Sequence, residues 1–250
     1  GIGLSKLVLR EEVSGLEHEI TGPGTNPSWW VTGLTANTTY GIKIKGINSD
    51  GLENGWSELS VKTTRIEDPV SIRYISRSTW SIEVGIEEEE YSNIGIGESG
   101  VLIERTDPFG SNSGWIQRSS NSWENGELEA AREYYYKMRS RNRDGLMNDW
   151  VIGYSTYTKP AAPTVPGYSI PAIGETGISS IETEWDKNGN SVYAYYKVEA
   201  SSESYVSAGT TSDSGWLLDK DTHTITGLGT NTSYYIRVRA KNGCNEESEV

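Results

Sequence analysis

A strand pattern with basic residues at alternate positions occurs three times in the chain. The segments are TTYGIKIKGINSDG from Thr38, REYYYKMRSRNRDG from Arg132 and TSYYIRVRAKNG from Thr232. Apolar residues alternate with Lys or Arg, which is typical of a β-strand with one buried face and one wet face. A tyrosine stands in register in each, at Tyr40, Tyr134 and Tyr234. These tyrosines lie 94 and 100 residues apart, so the sequence predicts three units of similar size.

Upstream strands repeat as well. Residues 81–86 (SIEVGI) align with residues 180–185 (SIETEW), and Ser-Gly-Trp occurs at both 113–115 and 214–216. Several short alternating segments per unit, separated by turn signals and without a helical period, favour an all-β sandwich.

The spacing Leu-x-x-x-Thr-x-Tyr, followed by alternating Ile or Val and then Ala-x-Asn, resembles the second half of a fibronectin type III domain. The resemblance implies an all-β chain of tandem immunoglobulin-like sandwiches, which we expect to be arranged as a rod. It also implies structural roles, with the three tyrosines fixing a crossover between sheets and Trp185 in the core. The leucines that precede them are Leu34, Leu128 and Leu228. The second unit departs from the pattern, with Ile86 at the tryptophan position and Arg132 at the threonine position.

The repeats divide the chain into three domains, of which we expect the first and the last to be incomplete. We expect residues 1–68 to lack their first two strands, residues 69–160 to be complete, and residues 161–250 to lack a complete last strand. A segment of a longer array explains this. Alternatively, neighbouring chains supply the missing strands, as in a filament subunit. Short connectors that contain proline, residues 63–69 and 159–166, favour semi-rigid spacing.

The basic stripe has two interpretations. Glu104 and Glu199 are predicted on the neighbouring strand, and cross-strand pairs of opposite charge help to fix register. The alternative is a groove for an acidic polysaccharide, with candidate residues Tyr135, Arg139, Tyr235, Arg237 and Arg239. The formal net charge of −13 opposes anionic partners at long range.

The nine tryptophans also leave two interpretations open. Surface tryptophan stacks on sugars and anchors protein interfaces, so Trp29 and Trp30 are binding candidates. Packing against neighbouring domains or sandwich edges is the alternative, for these two and for Trp56, Trp115, Trp150 and Trp216.

Sequence motifs for catalysis are missing. No nucleophile elbow, Cys/His pair or zinc-ligand cluster occurs, so we expect no enzyme activity and no catalytic or cofactor-binding residue. Two loops carry oxygen ligands at alternate positions, as calcium loops do. They contain Asp186, Asn188 and Asn190 in one case, and Asn48, Asp50 and Glu53 in the other. Neither completes the twelve-residue calcium pattern, so turn formation is the preferred interpretation and Ca²⁺ the alternative.

The composition of the chain argues against some classes of binding partner. A pI of about 4.7 argues against nucleic acid, and no apolar run approaches the roughly 18 residues of a membrane span. The single Cys244 excludes an internal disulfide and is either a loop thiol or an intermolecular bridge. Asn37 and Asn231 fit the N-glycosylation sequon, although the turn before the tyrosine strand explains both.

The expected function is a non-catalytic extracellular spacer or adhesive stalk that contacts protein or glycan at a surface. Acidic tandem β-repeats with almost no cysteine favour a microbial surface or phage-tail protein. Two alternatives remain: a self-associating filament or surface-layer subunit, and an accessory region of a secreted polysaccharide-degrading enzyme.

Overall fold

The three-dimensional structure is a computed structural model. It describes residues 5–22, 27–87, 90–107, 110–117, 120–164, 172–203 and 212–249. Pro166 in the second connector and Val250 lie outside the described residues. The described residues form β-strands and turns. The named strands all pair antiparallel, and one isolated bridge, Ala130 with Asn190, is parallel. The predicted all-β class is confirmed. No helix in the described ranges is long and apolar enough to span a membrane.

The first unit consists of one antiparallel sheet in the order β2-β1-β3-β4. Its strands within the described ranges are β1 (Lys6–Glu11), β2 (Glu17–Thr21), β3 (Thr39–Ile47) and β4 (Ser60–Thr63). The third of these is the first copy of the alternating basic strand, and it pairs with β1 through Lys45 opposite Val8.

The second unit is a sandwich of two sheets. One sheet has the order β5-β6-β9, with β5 (Arg73–Arg77), β6 (Ile82–Gly85) and β9 (Ser122–Asn125). The other has the order β12-β11-β7-β8, with β7 (Gly100–Arg105), β8 (Asn112–Ile116), β11 (Tyr136–Arg141) and β12 (Val151–Ile152). A short pair beside them joins β10 (Glu133–Tyr134) to β13 (Thr156–Tyr157).

The third unit repeats this arrangement. Its first sheet has the order β14-β15-β19, with β14 (Ala172–Thr176), β15 (Ser180–Glu184) and β19 (Thr222–Thr226). In its second sheet β16 (Tyr195–Ser201) pairs with β17 (Ser212–Asp213), β18 (Leu217–Leu218) and β20 (Tyr235–Lys241). The last described residues reach only an isolated bridge, Lys241 with Glu247.

The tyrosine at the start of each basic strand closes the loop before it. Each hydroxyl accepts the backbone N–H of the residue five positions earlier, from Thr35 to Tyr40 at 2.9 Å, from Glu129 to Tyr134 at 2.8 Å and from Gly229 to Tyr234 at 2.7 Å. The same contact recurs in all three units, and it fits the role that the resemblance implies for these tyrosines.

The second and third units each enclose an apolar core between their sheets. Tyr136, Met138 and Ile103 are fully buried in the second core, and Trp185 packs beside Tyr196 in the third. Leu128 and Leu228 are 7% and 6% exposed, whereas Leu34 in the first unit is half-buried. This difference follows from the single sheet of the first unit.

In the first unit, the face of the sheet that the sequence pattern predicts to be buried is exposed, and a residue on the opposite face is buried. Ile44 is 40% exposed, whereas Met138 at the same position of the second unit is 0% exposed. Val8, on the face that carries the lysines, is only 3% exposed. No sheet faces β3 within the described residues, so the apolar side of the strand lacks the packing that its sequence pattern predicts.

The absence of a facing sheet among the described residues also accounts for the exposure of Trp29. Trp123 of β9 pairs with Val84 of β6. Trp29 stands 94 residues before Trp123, but it lies in no strand and is 45% exposed. The described residues of the first unit contain no counterpart of β6 for this segment to pair with.

We expect the first unit to open more readily than the other two. Full burial of a large apolar side chain contributes about 1.5–3 kcal/mol, and Ile44 obtains only part of it. Amide hydrogen exchange should give β3 an opening free energy at least about 2 kcal/mol below that of β11. The strand β20, which has a facing sheet, is the control and should resemble β11. Equal protection of β3 and β11 would contradict this account.

Candidate functional site

The most regular polar site in the structure lies where one unit meets the next. Asn142 follows β11 and is 1% exposed. Its Oδ1 accepts the backbone N–H groups of Asp144 at 3.1 Å and Leu146 at 2.9 Å, which closes the turn. Its Nδ2 donates to the carbonyl of Thr64 in the preceding connector at 3.0 Å. One carboxamide therefore shapes its own turn and holds the previous unit.

The second junction repeats the same contact. Asn242 is 0% exposed. Its Oδ1 accepts the N–H of Glu246 at 3.0 Å and its Nδ2 donates to the carbonyl of Thr158 at 3.1 Å. Thr64 and Thr158 are 94 residues apart, the spacing of the first two tyrosines, so both junctions use equivalent residues. We call this contact the asparagine joint.

A second turn completes each joint from the side of the preceding unit. Asn37 has φ 48° and is 1% exposed. Its Oδ1 accepts the N–H of Arg143 at 2.7 Å, and its Nδ2 donates to the carbonyl of Asn93 at 2.8 Å. Ala131, the corresponding residue at the second junction, has φ 53°, is 0% exposed and packs in the core of the third unit. The two units at each junction therefore interlock.

Further contacts strengthen the second junction. Ser191 donates its N–H to the carbonyl of Ala130 at 2.9 Å and its hydroxyl to that of Ala131 at 3.2 Å. Arg77 forms an ion pair of 3.1 Å with Glu246. Backbone and side-chain contacts thus connect the units on more than one side.

The outer sheet faces carry the predicted cross-strand pairs. Lys137 lies 3.1 Å from Glu104, and Glu199 lies 2.6 Å from Arg237 and 2.8 Å from Arg239. The charge-ladder interpretation of the basic stripe is confirmed for these pairs.

Glu199 is far more buried than a ladder position on a wet face suggests. Its side chain is 2% exposed. Burial alone raises the pKa of this carboxyl, but hydrogen bonds from Arg239, Arg237 and Lys197 outweigh it and lower the pKa to about 2. The long cationic side chains cover the carboxylate and exclude water from it.

Tryptophans stack on the cations of the same outer faces. Arg141 lies 4.1 Å from the ring centre of Trp115, and Arg139 lies 4.4 Å from that of Trp150. The described residues of the first and third units show such a contact too, Lys45 with Trp56 at 4.9 Å and Lys241 with Trp216 at 4.7 Å. The sequence analysis did not predict these contacts. The signal that could have predicted them is a tryptophan near each basic strand in the sequence. Four of the tryptophans thus pack on their own unit.

The predicted binding residues separate into engaged and exposed groups. Arg139 is held by tryptophan, and Arg237 and Arg239 are held by Glu199. The exposed candidates are Tyr135 at 41%, Tyr235 at 55%, Trp29 at 45% and Trp30 at 88%. Trp29 also lies 4.4 Å from His18, ring centre to ring centre. The structure does not bring these candidates together into one groove.

The calcium candidates of the third unit serve as turn and junction groups. Asp186 Oδ1 accepts the N–H of Asn188 at 2.7 Å, and Asn190 exchanges hydrogen bonds of 2.8 Å with Ala161. Asn188 donates to the carbonyl of Ala162 at 2.9 Å. These contacts fit the turn interpretation.

The candidates of the first unit have similar partners. Asn48 Oδ1 accepts the N–H groups of Asp50 at 3.0 Å and Leu52 at 2.8 Å, the turn that Asn142 makes in the second unit. Glu53 pairs with Lys45 at 2.7 Å.

The two asparagines of the N-glycosylation sequons have different environments in the structure. Asn37 is engaged in the first joint, whereas Asn231, with φ 51°, is exposed. Because Asn37 is 1% exposed, a glycan on its Nδ2 would require the first joint to open. Cys244 is an exposed free thiol that donates to Asn242 Oδ1 at 3.0 Å.

Comparison with known proteins identifies the fold. Residues 163–250 match the family model of the fibronectin type III domain. The third unit is a fibronectin type III domain. The second and third units are tandem β-sandwiches with this fold, and the first unit repeats the basic strand in a single described sheet. A search of curated protein sequences finds no match.

Two solved structures are similar to the chain. A segment of two fibronectin type III domains from chicken tenascin is 14% identical with a TM-score of 0.51, over 73% of this chain and 95% of that segment. The FN1–FN3 domains of chicken CNTN1 are 15% identical with a TM-score of 0.38, over 99% of this chain and 86% of theirs. The likeness to the tenascin segment shows the fibronectin type III fold.

The ion cluster around Glu199 predicts an acid-sensitive third domain. Because its folded-state pKa of about 2 lies below the ordinary pKa of a glutamate carboxyl, ionised Glu199 stabilises the fold above about pH 4.5 and loses this effect as pH falls towards 2. We expect Glu199→Gln to destabilise the third domain by on the order of 3 kcal/mol at neutral pH, and by progressively less below pH 4.5. Chemical denaturation at several pH values measures this difference.

The equivalent Glu104→Gln is the matched control. Glu104 is 30% exposed and pairs with Lys137, so its replacement should cost about 0–1 kcal/mol. A pH-independent effect of Glu199→Gln would contradict the assignment.

Proposed function

We propose that this array is a non-catalytic extracellular spacer that holds surfaces for protein or glycan contact at a set distance and angle. The observation that carries the proposal is the recurrence of the asparagine joint at both junctions. A flexible tether needs no interlocking contacts between successive domains, whereas a spacer of defined geometry does.

The energetics of the joint support this proposal. Each hydrogen bond of this kind contributes about 0.5–1.5 kcal/mol, and a buried donor left without a partner costs about 1–3 kcal/mol. Asn37, Asn142 and Asn242 are each at most 1% exposed, so separating the domains leaves their amides without these partners until water enters. The bound orientation is favoured at each junction.

Surface contact is the second part of the proposal. The arginines of the outer faces are engaged within the chain, so the exposed aromatic residues are better candidates for partner binding. Aromatic side chains provide a large apolar contact with a polar tip, and they are enriched at interfaces. Tyr135, Tyr235 and Trp30 have this character and are exposed.

One observation favours a second candidate function, a filament subunit. The apolar face of β3 lacks a facing sheet within the described residues, and Ile44 is 40% exposed there. Strands from a neighbouring chain that cover this face would polymerise the protein. Size-exclusion chromatography with light scattering tests this: concentration-dependent polymers support it, and a monomer at all concentrations excludes it.

The spacer proposal is tested by removing the donor while keeping the turn. In Asn142→Asp/Asn242→Asp the acceptor oxygen still closes each turn, but a carboxylate replaces the donor that faces the threonine carbonyl. We expect the two domains at each junction to separate. Small-angle X-ray scattering should then show a broader distribution of interatomic distances, because the double variant samples many orientations.

Asn48→Asp is the matched control. Asn48 makes the same turn with Asp50 and Leu52 but contacts no preceding domain in the described residues. Its scattering should equal that of the wild-type protein. Unchanged scattering of the double variant would overturn the proposal.

A further inference from the structure

A cleft of about 480 Å³ lies at the second asparagine joint, between the second and third domains. Tyr135 and Tyr157 contribute from one domain, and Tyr193 and Tyr195 from the other. The carboxylates of Asp107 and Glu133 also line it. We propose that this cleft binds an organic cation, either an alkylated ammonium or a guanidinium group.

The aromatic walls fit such a ligand. A cation over the face of an aromatic ring is attracted by the ring quadrupole, and the attraction grows as water is excluded. Tyr193 and Tyr135 are 59% and 41% exposed, so they are accessible to a ligand. Lys241 lies 5.4 Å from the ring centre of Tyr195, so that ring already has a cation of the chain beside it, and the proposed ligand lies on the other three rings.

The charges of the lining favour a cation over an anion. Arg132 is the cationic residue in the lining, and it is already paired with Glu129 at 2.7 Å and with Asp107 at 3.8 Å. Glu133 accepts a hydrogen bond of 2.5 Å from Ser155, and its carboxylate lies in the lining beside the tyrosines. With a formal net charge of −13 on the whole chain, the long-range field attracts cations.

Glu133 also acts on two of the tyrosines. Burial, followed by a hydrogen bond with Glu133, raises the pKa of Tyr157 to about 12. A hydrogen bond with the same carboxylate raises the pKa of Tyr135. The cleft therefore combines aromatic rings with a carboxylate beside them.

A glycine keeps the cleft open. A Cβ atom at Gly243 would lie 2.8 Å from the Tyr157 ring, closer than packed atoms approach. A side chain at this position would displace Tyr157.

The aromatic lining is specific to the second junction. By strand register, Tyr135, Tyr157, Tyr193 and Tyr195 correspond to Gly41, Thr63, Glu98 and Gly100 at the first junction. Both junctions have the asparagine joint, yet only one carries these rings. The tyrosines are therefore not required by the joint itself, and ligand binding accounts for them.

The test compares choline with 3,3-dimethylbutan-1-ol, its uncharged isostere, by ¹H–¹⁵N NMR titration of the 250-residue protein. We expect choline to shift the amide signals of Tyr135, Tyr193 and Gly243, with at least about tenfold weaker binding of the isostere. N-acetylargininamide in a parallel titration distinguishes a guanidinium from an ammonium source. Equal binding of choline and its isostere overturns the proposal. So does binding of a neutral methyl glycoside with no binding of either cation.

Variants assign the binding to the cleft. Tyr193→Ala removes an exposed ring and should weaken binding of the preferred cation about tenfold. Tyr154→Ala, 89% exposed and outside the cleft lining, is the control and should leave affinity unchanged. Equal affinity of the wild-type protein and Tyr193→Ala contradicts the proposal. Small-angle scattering of these variants is expected to remain that of the wild type, so failure here is separable from failure of the spacer function.

Discussion

The asparagine carboxamide at each junction is the contact on which the arrangement of the domains depends. Its oxygen closes the turn after the basic strand, and its nitrogen donates to the carbonyl of a threonine near the C-terminal end of the preceding unit. Only a side chain with an acceptor and a donor on one planar group can do both. Because Asn142 and Asn242 are almost completely buried, the turn and the domain orientation form or break together.

On the outer sheet faces, each of several basic side chains contacts more than one partner. Arg239 contacts Glu199 and Glu247, and Arg139 contacts Trp150 and Trp115. Such networks satisfy long basic side chains within an acidic chain and cover apolar surface with their aliphatic stems. The basic stripe is therefore mainly structural, which leaves the exposed tyrosines as the better candidates for recognition.

Much of the fold was predictable from local patterns, because alternation and turn residues act over a few positions. The basic strands and the Glu104 and Glu199 pairs follow from such patterns, whereas the role of Tyr40, Tyr134 and Tyr234 came from the family resemblance. The joint was not predictable in this way. Asn48 and Asn142 begin the same turn pattern, Asn-x-Asp-Gly-Leu, yet within the described residues only Asn142 has a preceding domain to contact, and Asn242 makes the same contact from a different turn sequence. The tyrosine cleft likewise joins residues about 60 positions apart in sequence.

Residual dipolar couplings of the wild-type protein in a weakly aligning medium test the central claim most directly. Amides in β6, β7 and β11 report the alignment of the second domain, and those in β15, β16 and β20 report the third. If the asparagine joint fixes their orientation, one alignment tensor fits both sets with the relative orientation of this structure. Two tensors of different magnitude would mean that the domains reorient independently, and would contradict the account.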